Sequence, residues 1–359
     1  MLDKAFWSGK RVLITGHTGF KGSWLSLWLK EMQAEVFGLS LDPQRPRALF
    51  ADLELGRYID DCRGDIRDLD VVRSRFKEVS PEIVFHLAAQ PLVRESYLEP
   101  LETWQTNVVG TANILEALRE LEEPTCAAVF VTTDKVYENK EWEFSYRETD
   151  RLGGHDPYSA SKAASELLIR SWVLSYFNNE SPVQLATARA GNVIGGGDWA
   201  ADRIIPDIIR AVQSNDTLEV RNPDATRPWQ HVLEPLFGYL TLAQKLYERK
   251  TGLHGQGFNF GPNIEAVRPV SEIIKHAKSH FPVLRTHIQS GHHPHEAQTL
   301  SLAIGRALRE LDWAPKWDFT LAVEQTFQWY SSSQNDISIL ALCRADIKSY
   351  ESALAKDPV

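Results

Sequence analysis

The sequence predicts an α/β fold, a doubly wound parallel sheet joined to a smaller, discontinuous C-terminal region. Three observations predict it. Short β-branched runs alternate with stretches of helical spacing, glycines at 16, 19 and 22 directly follow the first run, and the texture changes after Arg189.

Arg11-Val12-Leu13-Ile14-Thr15 reads as a buried parallel strand because it is apolar, β-branched and stops at glycine. Between Gly19 and Gln33, Phe20, Trp24, Leu25, Leu27, Trp28 and Leu29 recur at helical spacing, and Glu35 to Ser40 returns to strand character. That is one βαβ unit. A candidate third strand ends at Arg63-Gly64-Asp65-Ile66. Glu82 to Leu87, Ala127 to Val131 and Val183 to Thr187 then read as strands, separated by helical Asn107 to Leu121 and Tyr158 to Tyr176.

After Arg189 come Gly195-Gly196-Gly197-Asp198-Trp199 and a segment dense in proline, arginine and tryptophan, through Trp229. Helical Leu233 to Leu246 and strand-like Phe258 to Phe260 let the chain re-enter the first unit. The expected division is therefore 1–188 with about 231–261 for nucleotide binding, and 189–230 with 262–359 for substrate. The tail after Ser331 carries the weakest pattern.

Composition sets limits. The 359 residues are 43% hydrophobic and 24% charged, as in a globular protein with a sizeable core. The net charge of -9 argues against nucleic-acid or anionic-membrane partners, so an anionic ligand must be held by a few placed cations. Cys62, Cys126 and Cys343 are odd in number and show no metal spacing, and no apolar run reaches about 18 residues, so a cytoplasmic protein is expected. His292, His293 and His295 lack completing ligands nearby, and no metal is expected.

The chemistry concentrates in three places. In Thr15-Gly16-His17-Thr18-Gly19-Phe20-Lys21-Gly22, Gly16 permits the tight turn, Gly19 lets backbone approach a pyrophosphate, and Gly22 lets helix and strand pack closely. Ser40, with Asp42 two residues on, stands where a ribose contact is expected; with no arginine at Ser40, NAD is favoured over NADP. Asp65 either faces the adenine or caps a turn.

Tyr158 and Lys162 are i and i+4 on one helix, so they share a face. An ammonium nearby is expected to lower the phenol toward the range a base requires. Val131-Thr132-Thr133-Asp134-Lys135-Val136-Tyr137 ends the fifth strand with a hydroxyl, a carboxyl and an amine together. Arg203, Arg227 and Asn192 are candidate anchors for a diphosphate, and Trp199 and Trp229 either stack on a ligand or fill the core.

The glycine turn, His86-Leu87-Ala88-Ala89-Gln90, the Tyr158/Lys162 pair and Arg189-Ala190-Gly191-Asn192-Val193 together resemble the extended short-chain dehydrogenase/reductases that act on nucleotide-sugars. The resemblance implies a Rossmann sheet, a homodimer or homotetramer, and NAD held by Gly16, Gly19, Phe20, Lys21, Gly22, Ser40, Asp42, Asp65, Ile66, Leu87, Ala88, Ala89, Gln90, Tyr158 and Lys162. It also implies that Thr133 completes a triad with Tyr158 and Lys162.

Thr133-Asp134-Lys135 is similar to the segment of 4,6-dehydratases, which oxidise C4, lose water across C5/C6 and return hydride to C6. Asp134 then assists departure of the C6 hydroxyl. Lys135 replaces a glutamate of the thymidine-linked branch, which leaves the C5 base open. Asp198 to Arg203, Arg227 to Val232 and Pro294 to Ala297 resemble the branch acting on CDP-glucose in deoxysugar biosynthesis. A 4-epimerase, a dehydratase of another nucleotide-sugar, and a non-catalytic dinucleotide-binding module are the alternatives.

Overall fold

In the computed structural model, residues 2–43, 47–121, 125–178, 180–191, 193–288, 299–335 and 337–356 are described. Seven strands form the central sheet: β1 (Arg11–Thr15), β2 (Glu35–Ser40), β3 (Asp60–Arg63), β4 (Ile83–His86), β5 (Cys126–Val131), β6 (Val183–Ala190) and β7 (Gly257–Phe260). Their order is β7-β6-β5-β4-β1-β2-β3, all parallel. The order reverses between β1 and β4, where Thr15 pairs with His86. A crevice opens outside the carboxyl ends of an open parallel sheet at such a point.

Alternation along each strand feeds two apolar clusters, one per face. Val12, Ile14, Ile83 and Phe85 enter the first, and Leu13 and Val84 enter the second. Helices α1 (Phe20–Glu31), α2 (Leu69–Val79), α3 (Gly110–Arg119) and α4 (Pro157–Ser175) follow their strands, and the spacing predicts α1, α3 and α4. The stretch entering α3 departs from expectation, because Gln105–Val109 is a π-helical turn that turns Asn107 inward.

Every residue of α1 from Gly22 to Leu29 is buried, since the sheet covers one side and C-terminal elements cover the other. Trp24 Nε1 donates to the Gly196 carbonyl at 3.0 Å, and Trp28 Nε1 to Glu351 Oε1 at 3.1 Å. The first apolar cluster therefore runs unbroken from Trp7 to Leu354.

The C-terminal region contributes α5 (Ile204–Ser214), α6 (Leu233–Tyr247), α7 (Val270–His280), α8 (Phe319–Ser332) and α9 (Ile339–Lys356). Three two-stranded ladders accompany them, among them Thr226–Pro228 antiparallel to Val267–Pro269. The weakly patterned tail is the long helix α9, docked through Tyr350 onto Trp28 of α1 and Phe237 of α6.

Candidate active site

The glycine turn is shaped by close approach. Gly16 has φ +77°, and a Cβ there would stand 2.7 Å from the Ala88 nitrogen, so the loops after β1 and β4 touch. A Cβ on Gly22 would fall 2.2 Å from the Gly16 carbonyl oxygen. Gly19 caps α1 without a side chain, which leaves the helix N-terminus open to an anion.

Around this turn, Thr18 and Ser40 share a hydroxyl hydrogen bond of 2.7 Å. Asp42 is exposed, 3.5 Å from Arg63. Asp65 accepts from the Arg67 backbone at 2.9 Å and from its guanidinium at 2.6 Å, so it closes a local turn. The Ile66 side chain is core, against Gly110. His86, fixed by Thr15 at 2.7 Å and Thr111 at 3.0 Å, is pushed down to about 3 by burial. The Ala88 nitrogen donates to Thr15 Oγ1, following Leu87, while Gln90, after Ala89, is bonded to Asn107 and Thr103.

The reactive side chains meet where β5 ends. Thr133 is extended, and its hydroxyl donates to Asp134 Oδ1 at 3.0 Å while accepting from the Lys135 nitrogen at 3.3 Å. Lys135 Nζ lies 3.5 Å from the same carboxylate oxygen. Asp134 is almost wholly buried, and a Cβ on Gly191 would approach its Oδ2 to 2.6 Å, so glycine at 191 makes room for the carboxylate.

Tyr158 starts α4 and is hydrogen-bonded to Thr133. Pro157 at the first turn and Asp156 accepting from the Ser159 nitrogen fix that start. Asn107 of the π turn donates to Ser161 on α4 at 2.9 Å, tying the two helices together behind Tyr158.

The electrostatics correct one expectation. Lys162 donates to the Val131 carbonyl at 3.3 Å, and burial lowers it to about 8. The Tyr158 phenol is not lowered: burial, assisted by the Asp134 carboxylate, pushes it up to about 12 against the Thr133 hydrogen bond and the Arg203 charge. Burial of an uncharged acid outweighs the one guanidinium that favours its charged form here.

Lys21, predicted for the cofactor, also faces these groups. Burial and the charges of Arg203, Lys162 and Lys135 bring it to about 7, opposed by Asp134, and its amine lies 3.5 Å from the Tyr239 hydroxyl of α6. Arg203, paired to the buried Asp198 at 2.8 Å, completes a cationic cluster beside the buried Asp134 carboxylate in a protein of net charge -9. Tyr239 was not legible as a neighbour, because α6 is brought across only by the fold.

Arg227 sits opposite Arg268 on the ladder beside the site; its neighbour Pro228 would be 3.2 Å from a Cβ on Gly191. Trp229 is buried, with its indole donating to the Arg268 carbonyl, so it offers no free stacking face. Trp199 is likewise core, edge-on to Tyr330 and covered by Arg47. Asn192 and the three histidines lie outside the described residues. Among the described residues no group of three or more His, Cys, Asp or Glu side chains could hold a metal, and no helix is long and apolar enough to cross a membrane.

A dinucleotide turn at the switch point, facing a threonine, tyrosine and lysine on β5 and α4, defines a Rossmann-type dehydrogenase/reductase. The chain belongs to the GDP-mannose 4,6-dehydratase family, whose model matches residues 13–326. It is 45% identical to a CDP-glucose 4,6-dehydratase of Salmonella typhimurium, over 99% of this chain and the whole of that one. It is 28% identical to a dTDP-glucose 4,6-dehydratase of Haemophilus influenzae, over 89% of this chain and 97% of that one.

Solved structures show the same fold. A UDP-glucose 4-epimerase of Thermotoga maritima superposes with a TM-score of 0.78 at 20% identity, over 90% of this chain and 99% of its own. A dTDP-glucose 4,6-dehydratase of Bacillus anthracis, in complex with NAD, gives 0.74 at 21% identity, over 92% and 99%.

Proposed function

We propose that the protein is an NAD-dependent lyase that converts CDP-D-glucose to CDP-4-keto-6-deoxy-D-glucose. The observation that carries the reading is the buried Asp134 carboxyl beside the Thr133–Tyr158 pair, since an epimerase needs no acid at C6. The 45% identity over nearly the full chain to a CDP-glucose 4,6-dehydratase supports the substrate.

The residues fit a dinucleotide: Gly16 and Gly22 let the turn close tightly against the start of α1, whose N-terminus has no side-chain cap and is open to a pyrophosphate. NAD supplies the hydride acceptor and donor. Thr133 orients the C4 hydroxyl, and Tyr158 takes its proton in the phenolate form, which the Thr133 hydrogen bond and the Arg203 charge favour against burial. Lys162, fixed by Val131, presents its charge beside them. Asp134, in its protonated form, gives its proton to the departing C6 hydroxyl, which leaves as water; the C5 proton passes to a base, and Lys135 meets the negative charge left on the enolate. Lys21, Arg203 and Arg227 answer the charge of the diphosphate.

The division into a nucleotide-binding unit of 1–188 with 231–261 and a substrate unit fits this chemistry, with β7 returning to the sheet edge. A homodimer is also proposed. The apolar residues Ile114, Leu115 and Leu118 of α3 and Ile169 of α4 are interior and offer no face for it. The outward face instead offers Leu98, Leu101, Trp104, Leu167 and Leu174, all exposed.

Proton NMR of the product from CDP-glucose and NAD in deuterated water tests the reading. A C6 methyl signal with deuterium at C5 is expected, and Asp134→Asn should retain C4 oxidation while losing methyl formation. Full dehydration by that variant overturns the acid role; a changed C4 stereocentre with C6 still hydroxylated overturns the lyase.

A further inference from the structure

Two turns beyond Tyr158 on α4, Glu166 touches no reacting group and yet is among the most completely bonded side chains of the site. Its Oε1 accepts from Thr132 Oγ1 at 2.6 Å and Arg189 Nε at 2.9 Å; its Oε2 accepts from Thr187 Oγ1 at 2.8 Å and Arg189 Nη2 at 2.8 Å. Glu166 and Arg189 are each about 5% exposed. Arg189 continues to the Tyr137 hydroxyl at 2.8 Å, and Tyr137 donates to Asn259 of β7 at 2.7 Å. One carboxylate thus links α4 to β5 and β6, and through Arg189 to β7.

The placement matters more than the number of bonds. Tyr158, Lys162 and Glu166 lie on successive turns of one face, and each contacts the end of β5: Tyr158 at Thr133, Lys162 at the Val131 carbonyl, Glu166 at the Thr132 hydroxyl. We propose that Glu166 is a positioning residue for the C4 oxidation, setting α4 against β5 through Thr132 so that Thr133 and Tyr158 meet the same hydroxyl. The inference rests on the lyase reading above.

The carboxylate also sets charge. Burial would raise Glu166, but Arg189 and the two threonine hydroxyls hold it below its usual value. It is thereby a fixed negative charge one turn from Lys162, and it opposes the lowering of that amine. The other titratable groups facing Lys162 are Lys21 of α1 and His86 of β4, and His86 is neutral.

Two threonines on the same carboxylate provide an internal control. Thr132→Val and Thr187→Val each remove one hydroxyl donor from Glu166, but only the first lies next to Thr133. Reduction of NAD in a single turnover with CDP-glucose, the Michaelis constant and the thermal midpoint are measured for each. Both variants should lose similar thermal stability. T132V should slow reduction about tenfold or more at unchanged KM, as a misplaced catalytic pair would, while T187V stays within about twofold of wild type.

Equal rates in the two variants, or equal slowing, overturn the inference. Glu166→Gln should move the alkaline limb of the reduction rate to lower pH; an unmoved limb overturns the charge role, and if this variant does not fold the threonine pair decides alone. A wild-type protein that forms no methyl product from CDP-glucose overturns the functional reading and this inference together. An active wild type with indistinguishable threonine variants overturns the inference only.

Discussion

Glu166 and Glu234 are both buried glutamates on helices, packed on opposite faces of one sheet, and they carry opposite charge preferences. Glu166 on α4 faces the Arg189 guanidinium and lies below its usual value. Glu234 on α6 accepts from Tyr350 at 2.6 Å and from the Trp317 and Lys316 backbones at 2.6 and 2.9 Å. Burial pushes it up to about 7 against those bonds. Asp346 of α9, 4.0 Å from His231, is likewise pushed up to about 7 by burial. A buried carboxyl keeps its charge where a buried cation compensates its desolvation, and otherwise keeps its proton. The catalytic face is built around charge, and the face that docks α9 around shared protons.

The largest effect should come from breaking the charged side. Glu166→Ala leaves the Arg189 guanidinium buried without its counter-charge, which costs about 3–5 kcal/mol. A large fall in the urea midpoint, or failure to accumulate folded protein, is expected; a midpoint within error of wild type would dissolve the contrast between the two faces.

On the other face, Tyr350→Phe removes the hydroxyl that Glu234 Oε2 accepts and should cost about 1–3 kcal/mol, with the rate of C4 oxidation unchanged. A rate loss to match the stability loss would show that α9 is coupled to the site.

The shared-proton side also predicts a pH slope. Glu234 and Asp346 have folded values near 7, above the roughly 4 of unfolded carboxyls. Between those limits the folded state binds more protons, so these groups contribute stability that is fully present below about pH 4 and is lost as pH rises through about 7. Urea midpoints from pH 5 to 8 should show it, and Asp346→Asn should flatten the slope. Smallest of all, Lys4→Ala removes an exposed pair with Glu351 that docks the end of α9, a change of less than about 1 kcal/mol.

Much of the charged face was legible. The glycine spacing named Gly16, Gly19 and Gly22, and the i, i+4 rule put Tyr158 and Lys162 on one face of α4, as observed. Glu166, one turn beyond Lys162, is on the same face by the same rule, but its role depends on Thr132, Thr187 and Arg189, which only strand pairing brings together. The direction of the Tyr158 shift was misread because spacing reports a neighbouring amine and says nothing of burial. Trp229 could be named as aromatic, yet its position inside the core follows from the ladder with Val267–Pro269.

The sequence by itself determined the alternation of strands and helices, the dinucleotide turn, and the Thr133-Asp134-Lys135 and Tyr158/Lys162 sets. Each of these is encoded within a few residues by steric rules or helical period. Tertiary structure alone decided which groups share a low-dielectric space: Lys21 beside Arg203 and Tyr239, Asp134 against Gly191, Glu166 beneath Arg189, and Glu234 under the tail helix. Charge states follow from burial and from partners distant in sequence, and no local pattern carries that information.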